Sequence, residues 1–356
     1  RRTDKPVEDI QFAFGSHFDP RIAMLRALTE LNQFLPAVMH MPADGSATYL
    51  FDDPESIHWW KTAKITQHPH LLPHPNMPLR RADDYERLSL AGVRAVLEPA
   101  FWLGQNRTSV GSFVDYFDTL VGWERYRAAQ YGIHHFCAIG LNPKEANDDR
   151  VNAGVLAEMP RYLEKDGVLA VGEIGFDDMT AREEKFFAAQ LELARVHGLP
   201  ALIHTPHRDK KVGVARTLAV LKDVGFPYER ALVDHNNEET VAMCRDTGCW
   251  IGFSIYPNTK MDEGRMVSIL DRWGTDKMII NSACDWGKSD PLKVARTAAE
   301  MRKRGYDDEG VAKLVWHNPI AFFAQSDRLL AHDLDQRPVV DGELWQGNSI
   351  ARGQGA

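Results

Sequence analysis

The strongest constraint on the fold is an alternation of helical patterns and short apolar stretches between about Arg81 and Gln325. The stretches are nearly continuously apolar, which is typical of parallel strands buried on both faces, and each ends in polar, glycine or proline residues. Strands that alternate with helices in this way indicate βαβ crossovers. The predicted strands are residues 93–99, 133–140, 168–175, 200–204, 231–235, 250–256 and 277–281.

Seven such units span nearly the length of a closed (β/α)8 barrel, which needs eight units and about 250 residues. The sequence therefore predicts an α/β fold, a TIM-like barrel, whose missing first strand should precede Asp83. The stretch before that residue, 64–78, contains Pro69, Pro73, Pro75 and Pro78. Because proline cannot donate to a strand ladder, we expect this first strand to be atypical.

The two ends of the chain differ from the barrel pattern. Residues 1–66 are expected to form an N-terminal α/β extension with a helix from Asp19 to Phe34. Residues 331–356 become polar and glycine-rich and are expected to be a tail. The predicted barrel domain is therefore 67–330. The first residue is Arg1 rather than Met, so we also expect that the chain was cut from a longer one.

Composition excludes several classes of protein. The net charge of -8 argues against a strongly basic nucleic-acid surface over the whole chain, although a local basic patch would suffice to bind one phosphate. No run of 18 apolar residues and no signal-peptide pattern is visible, so we expect no membrane insertion. None of the four cysteines forms a CxxC pair, which favours a reducing, cytoplasmic location over a disulfide framework.

Metal-ligand residues stand at four predicted strand ends, where a barrel of this type carries its chemistry. They are Glu173, His204, His235 and Asp285. A single histidine at a strand end is more often a structural residue, but four such residues at equivalent ends favour a site for a divalent metal such as Zn²⁺ or Mn²⁺. A metal with an open position activates water near neutral pH, and Asp285 could take its proton.

Several motifs resemble the TatD family of metal-dependent hydrolases, most closely the TatD-like proteins of ebo gene clusters. The motifs are residues 98–102, 140–145, 171–177, 202–210, 234–240 and Asp285, in order along the chain. The resemblance implies a (β/α)8 barrel of the metal-dependent hydrolase type that binds one or two divalent metals, Zn²⁺, Mn²⁺ or Mg²⁺. It implies that Glu173 bridges metals and takes part in catalysis, that His204 and His235 are ligands, and that Asp285 is a ligand and catalytic base.

The family's first strand supplies a His-x-His pair, which this chain matches only in part. By position, the pair falls on His74 and Asn76, so the first ligand is kept and the second is replaced by an amide. His68 and His70 have the correct spacing in another register. We therefore expect one metal held by Glu173 and the other strand-end ligands. Whether a second metal binds is left open.

Upstream, the sequence resembles the C-terminal part of the YcaO family, ATP-dependent enzymes that activate peptide amides. The likeness lies in residues 14–20, 23–33 and 59–73. It implies that Glu30 and Gln33 face a nucleotide and its Mg²⁺. The alternative, which we favour, is that both are polar residues on the exposed face of an amphipathic helix.

Basic residues after the fourth predicted strand, His207, Arg208, Lys210 and Lys211, are candidates to bind an anionic group, especially phosphate. The alternative is a solvated charged loop.

We therefore predict a metal-dependent hydrolase of an ester bond, with a phosphoester or another small anionic substrate as first choice. A small phosphorylated molecule is at least as well supported as nucleic acid, and an amide or modified peptide comes second. Two alternatives stay open: an accessory part of a YcaO-type ATP-dependent peptide cyclodehydratase, and a catalytically impaired barrel that serves as a binding protein. The oligomeric state does not follow from the sequence.

Overall fold

The structure is a computed structural model that describes residues 3, 6–17, 20–39, 49–50, 52–68, 71, 84–284 and 288–339. It divides into two compact units, Arg1–Asp83 and Asp84–Ala356. No helix among these described residues is both long and apolar enough to cross a membrane.

The described residues of the first unit form two helices, α1 (Pro20–Met39) and α2 (Pro54–Thr62), and a 3-10 turn, Ile65–Gln67. The predicted end of α1 at Phe34 is five residues short, because the helix continues through Pro36 into the buried residues Ala37 and Val38. Asp53 caps α2 by accepting hydrogen bonds from the backbone of the first turn.

The second unit is built on seven parallel strands that follow one another in chain order, which confirms the predicted barrel fold class. The strands are β1 (Ala95–Pro99), β2 (His134–Ile139), β3 (Val168–Gly175), β4 (Ala201–His204), β5 (Ala231–Val233), β6 (Trp250–Ser254) and β7 (Met278–Asn281). Most of the stretch predicted to form the preceding strand lies outside the described residues.

Helices connect and cover these strands. They are α3 (Asp84–Leu90), α4 (Val110–Asp118), α5 (Arg125–Gln130), α6 (Pro143–Ala146), α7 (Asn152–Leu163), α8 (Ala181–Val196), α9 (Lys210–Asp223), α10 (Val241–Arg245), α11 (Glu263–Trp273), α12 (Lys293–Lys303), α13 (Asp308–Ala312) and α14 (Asn318–Phe323). Two π-helical segments, Thr119–Glu124 and Lys313–His317, join neighbouring helices. Shorter 3-10 turns are Tyr228–Arg230, Ala324–Ser326 and Ala331–Asp335.

Apolar side chains cover the sheet on both faces, which explains the continuous apolar character of the strands. All eight residues of β3 are buried. On one face Val171 and Ile203 belong to a large core with the helices, which includes Phe187 of α8. On the other face Leu202 belongs to a second cluster that includes Phe322 of α14.

The loop from β3 to α8 is fixed by a buried carboxylate. Thr180 and Glu183 form a capping box at the start of α8. Glu183 also accepts hydrogen bonds from the backbone N–H groups of Asp177 (3.2 Å) and Asp178 (3.1 Å) and from the side-chain amide of Asn147 (2.7 Å). One side chain therefore accepts from the backbone N–H groups of Asp177, Asp178 and Thr180 and holds Asp177 in place.

We expect Glu183→Ala to lower the free energy of unfolding by about 2–4 kcal/mol, since several partly buried donors lose their acceptor. Chemical denaturation at neutral pH measures this change. Glu192→Ala on the exposed side of the same helix is the matched control, and its surface ion pair with Arg195 is worth at most about 1 kcal/mol. Equal effects of the two substitutions would contradict the structural role of Glu183.

Candidate metal centre

Three side chains from consecutive strand ends meet at one point. Glu173 lies near the end of β3, His204 is the last residue of β4, and His235 follows β5 by two residues. Glu173 Oε1 is 2.8 Å from His204 Nδ1 and 3.0 Å from His235 Nε2. The two imidazole nitrogens are themselves 3.0 Å apart. Parallel strands place these ends together because their carboxyl ends share one edge of the sheet.

Hydrogen bonds among the three atoms cannot satisfy all of them at once. If both imidazole nitrogens carried a hydrogen, two N–H groups would face each other across 3.0 Å. If only one nitrogen carried a hydrogen, the lone pair of the other nitrogen and the Glu173 carboxylate would compete for that single hydrogen. A divalent cation accepts a lone pair from each of the three. Two imidazoles and a carboxylate suit Zn²⁺ or Mn²⁺, so the donor set fits a metal.

Asn142 fixes the orientation of the Glu173 carboxylate. Its side-chain amide donates to Glu173 Oε2 at 3.0 Å, while its Oδ1 caps α6 by accepting from the backbone N–H of Lys144. Oε1 is thereby directed to the histidines. Burial opposes ionisation of Glu173, but the charges and hydrogen bonds of His204 and His235 outweigh it and hold the pKa of the carboxyl well below its usual value.

The second nitrogen of His204 faces a carboxylate. Its Nε2 is 3.7 Å from Asp177 Oδ1, and Lys144 Nζ donates to Asp177 Oδ2 at 2.6 Å. Burial works against the ionised form of Asp177, yet His204 and Lys144 lower its pKa to about 2. In turn, burial would lower the pKa of His204, but Glu173 and Asp177 raise it.

His235 is held from the side away from Glu173. Its Nδ1 is 2.7 Å from Ser254 Oγ and 2.8 Å from Lys260 Nζ. Its backbone N–H donates to Asp234 Oδ1 at 2.6 Å. Burial and the charge of Lys260 lower the pKa of His235 to about 4, so the ring is neutral near pH 7, as a metal ligand must be.

The backbone at this strand end is unusual and is closely approached by a glycine of β6. His235 has φ 63°, a left-handed conformation that costs a non-glycine residue about 1 kcal/mol or more. A Cβ at Gly252 of β6 would come within 2.5 Å of Asp234 Oδ1 and 2.9 Å of Asp234 Cα. Only glycine lets β6 approach this corner so closely.

The predicted substrate-binding residues lie on the loop after β4. His207 and Arg208 are exposed, and Lys210 is partly buried. Lys210 Nζ donates to the side-chain oxygen of Thr205 at 3.0 Å and to its carbonyl at 3.2 Å. Burial and the nearby charge of Lys260 lower the pKa of Lys210 to about 8.

Comparison with known proteins identifies the family of the barrel. The model of the family described as TatD related DNase matches residues 67–324, more than half of the chain. The chain belongs to the TatD family. It is therefore a member of a family of metal-dependent hydrolases, as the sequence motifs implied, whereas the link to ebo gene clusters stays a prediction.

Relatives of the TatD barrel share both sequence and fold with the chain. An uncharacterised metal-dependent hydrolase of Methanocaldococcus jannaschii is 26% identical over 250 residues, covering 70% of this chain and 98% of the relative. The crystal structure of a TatD-like protein of Archaeoglobus fulgidus is 27% identical with a TM-score of 0.56, covering 67% of this chain and 93% of that one. A phosphotriesterase homology protein of Escherichia coli, 20% identical, has the same fold (TM-score 0.50, covering 68% and 91%).

A second family model, the YcaO cyclodehydratase, matches residues 1–122 at the N-terminal end of the chain. This match is longer than the predicted segment 1–66 and overlaps the TatD match. In the structure, Glu30 accepts a hydrogen bond from the backbone N–H of Phe14 at 3.3 Å, and Gln33 is exposed.

Of the other candidate ligands, His68 is the one that lies among the described residues. Asp285, His74, Asn76 and His70 lie outside the described residues. His68 is described in the first unit, where its ring lies 4.6 Å from that of Trp59.

Sequence reasoning did not single out several residues that contact the three converging side chains, among them Asn142, Asp177, Ser254 and Lys260. Asn142 and Asp177 lie within motifs that carried the family resemblance, but Ser254 and Lys260 lie in none of them.

We expect Asn142→Ala to weaken metal binding about 10- to 100-fold, because the Glu173 carboxylate loses the donor that orients it. Competition with a chromogenic chelator measures the affinity for Zn²⁺. Asn106→Ala, on an exposed loop, is the control and should leave the affinity unchanged. Unaltered affinity of the Asn142 variant would show that the carboxylate is oriented by other groups.

Proposed function

We propose that this TatD barrel hydrolyses phosphoesters of small anionic substrates with one divalent cation, Zn²⁺ or Mn²⁺, held by Glu173, His204 and His235. The observation that carries the proposal is the approach of three ligand atoms to within 3.0 Å of one another. Mg²⁺ is disfavoured because it prefers oxygen ligands and retains water.

When bound, the cation supplies polarisation of the scissile bond and a nucleophile near neutral pH. The protein's own groups orient the metal ligands and fix their protonation states. Asn142 keeps Glu173 Oε1 turned toward the histidines. Ser254 accepts the Nδ1 hydrogen of His235 and so fixes the tautomer in which Nε2 has a free lone pair. Asp285 is proposed as a further ligand and general base, and His74 as a ligand.

The charges at the strand ends support the proposed substrate class. Although the chain has a net charge of -8, Lys210 and Lys260 lie beside the candidate centre, with His207 and Arg208 on the adjoining loop. A local positive field of this kind attracts an anionic group. The acidic remainder of the chain opposes extended contact with a nucleic-acid backbone, so a small phosphorylated substrate is favoured over DNA.

The match of the YcaO model supports a second candidate, an accessory role in an ATP-dependent peptide cyclodehydratase. It would use α1, with Glu30 and Gln33 facing a nucleotide. Binding of a fluorescent ATP analogue that is lost on Glu30→Gln would support this candidate, whereas absence of nucleotide binding would remove it.

We expect His235→Ala to reduce both Zn²⁺ affinity and hydrolysis by about 100-fold or more, since a first ligand is lost. Metal content is measured by atomic emission, and activity on a panel of phosphomonoesters, phosphodiesters, single-stranded DNA, carboxyl esters and amides. His332→Ala, an exposed histidine, should change neither quantity.

Removal of metal with EDTA should abolish activity, and Zn²⁺ or Mn²⁺ should restore it. Full metal content in the inactive His235 variant would show that His235 acts on the substrate instead. No metal-dependent activity on any substrate in the panel would refute the proposed hydrolase and favour a binding protein.

A further inference from the structure

Two partly buried lysines follow β4 and β6 near the candidate metal centre: Lys210 contacts Thr205, and Lys260 contacts His235. Lys210 begins α9, and Lys260 precedes α11. Neither ammonium group has a carboxylate within 4.0 Å among the described residues. By contrast, Lys144 and Lys293 in the same barrel are paired with Asp177 and Glu263. Burying charge is costly, so two lysines that lack a carboxylate contact among the described residues point to an anion that binds beside the candidate metal centre.

Lys260 has hydrogen-bonding capacity to spare. Its ammonium group carries three hydrogens, and its contact in the structure is with His235 Nδ1 at 2.8 Å. A neutral histidine that ligates through Nε2 carries its hydrogen on Nδ1, which then donates to Ser254 Oγ at 2.7 Å. Lys260 loses its acceptor in that tautomer, and all its hydrogens become available to a ligand.

The ammonium group of Lys210 is hydrogen-bonded, but its charge is not neutralised by these contacts. Both oxygens that it contacts belong to Thr205, one a hydroxyl and one a carbonyl, and neither carries a charge. The Thr205 hydroxyl that Lys210 contacts donates to the backbone carbonyl of Asp234 at 2.7 Å, and Lys260 contacts the next residue, His235. The two lysines therefore lie in one local group of contacts, and the charge of Lys260 lowers the pKa of Lys210. Both also lower the pKa of His207. Their mutual repulsion would be relieved by an anion bound between them.

We propose that Lys210 and Lys260 form an anion subsite that binds the terminal phosphate of the substrate as a dianion. Two ammonium groups match the two charges of a terminal phosphate, whereas the phosphate of a diester carries only one. The subsite therefore selects phosphomonoesters over the internal phosphates of a nucleic acid. It rests on the proposed hydrolase function and names the substrate class of that same site.

The test is binding of inorganic phosphate to the Zn²⁺-loaded protein, followed by isothermal titration calorimetry. We expect Lys210→Met and Lys260→Met each to raise the Kd for phosphate about 10-fold, because each removes one charge-assisted hydrogen bond. Lys260→Arg should retain most of the affinity. Lys222→Met, at an exposed lysine in the last turn of α9, is the matched control and should bind phosphate as the unmodified protein does.

Kinetics give a second readout. With a phosphomonoester, Lys260→Met should raise KM about 10-fold and change kcat less, while KM for a phosphodiester changes little. Phosphate binding that is unchanged in both methionine variants, at full metal content, would overturn the subsite. A loss of metal from Lys260→Met, with phosphate affinity per loaded site unchanged, would also overturn it and assign Lys260 to holding His235.

The two proposals fail separately. A protein that binds phosphate through the lysines but hydrolyses nothing would refute the hydrolase and retain the subsite. A protein that hydrolyses diesters as efficiently in the lysine variants as in the unmodified chain, without lysine-dependent phosphate binding, would refute the subsite and retain the hydrolase.

Discussion

The contact among Glu173, His204 and His235 is the interaction on which the rest of the site depends. Three groups that each offer a lone pair lie 2.8–3.0 Å apart, an arrangement that a protein maintains only with a cation or with hydrogen bonds that leave one partner unsatisfied. The sheet imposes it, because Gly175 of β3 pairs with His204 of β4 in parallel register. The left-handed backbone of His235 and the space left by Gly252 complete it.

A second layer of polar contacts turns this convergence into an oriented site. Asn142 donates a hydrogen bond to Oε2 of Glu173. Asp177, which is paired with Lys144, faces Nε2 of His204. Glu183 in turn anchors the loop that carries Asp177. The stability of the β3–α8 loop and the geometry of the candidate centre therefore depend on the same buried carboxylate.

Much of the barrel and the three converging residues could be predicted from the sequence, for physical reasons. Strands buried on both faces leave continuous apolar runs, and the residue after such a run must lie at the sheet edge, which places His204 and His235. Lys260 could not be predicted, because its contact with His235 spans 25 positions and depends on how the β6–α11 loop folds back. The continuation of α1 through Pro36 could not be predicted from the sequence either. Proline disfavours a helix interior, and the burial of Ala37 that compensates for this cost is visible only in the structure.

The most direct test of a metal held by these three side chains is a crystal structure of the Zn²⁺-loaded protein with anomalous diffraction at the zinc edge. The account predicts one strong anomalous peak at about 2.0–2.2 Å from Glu173 Oε1, His204 Nδ1 and His235 Nε2. A peak bound elsewhere, with these three atoms still in mutual contact, would contradict it.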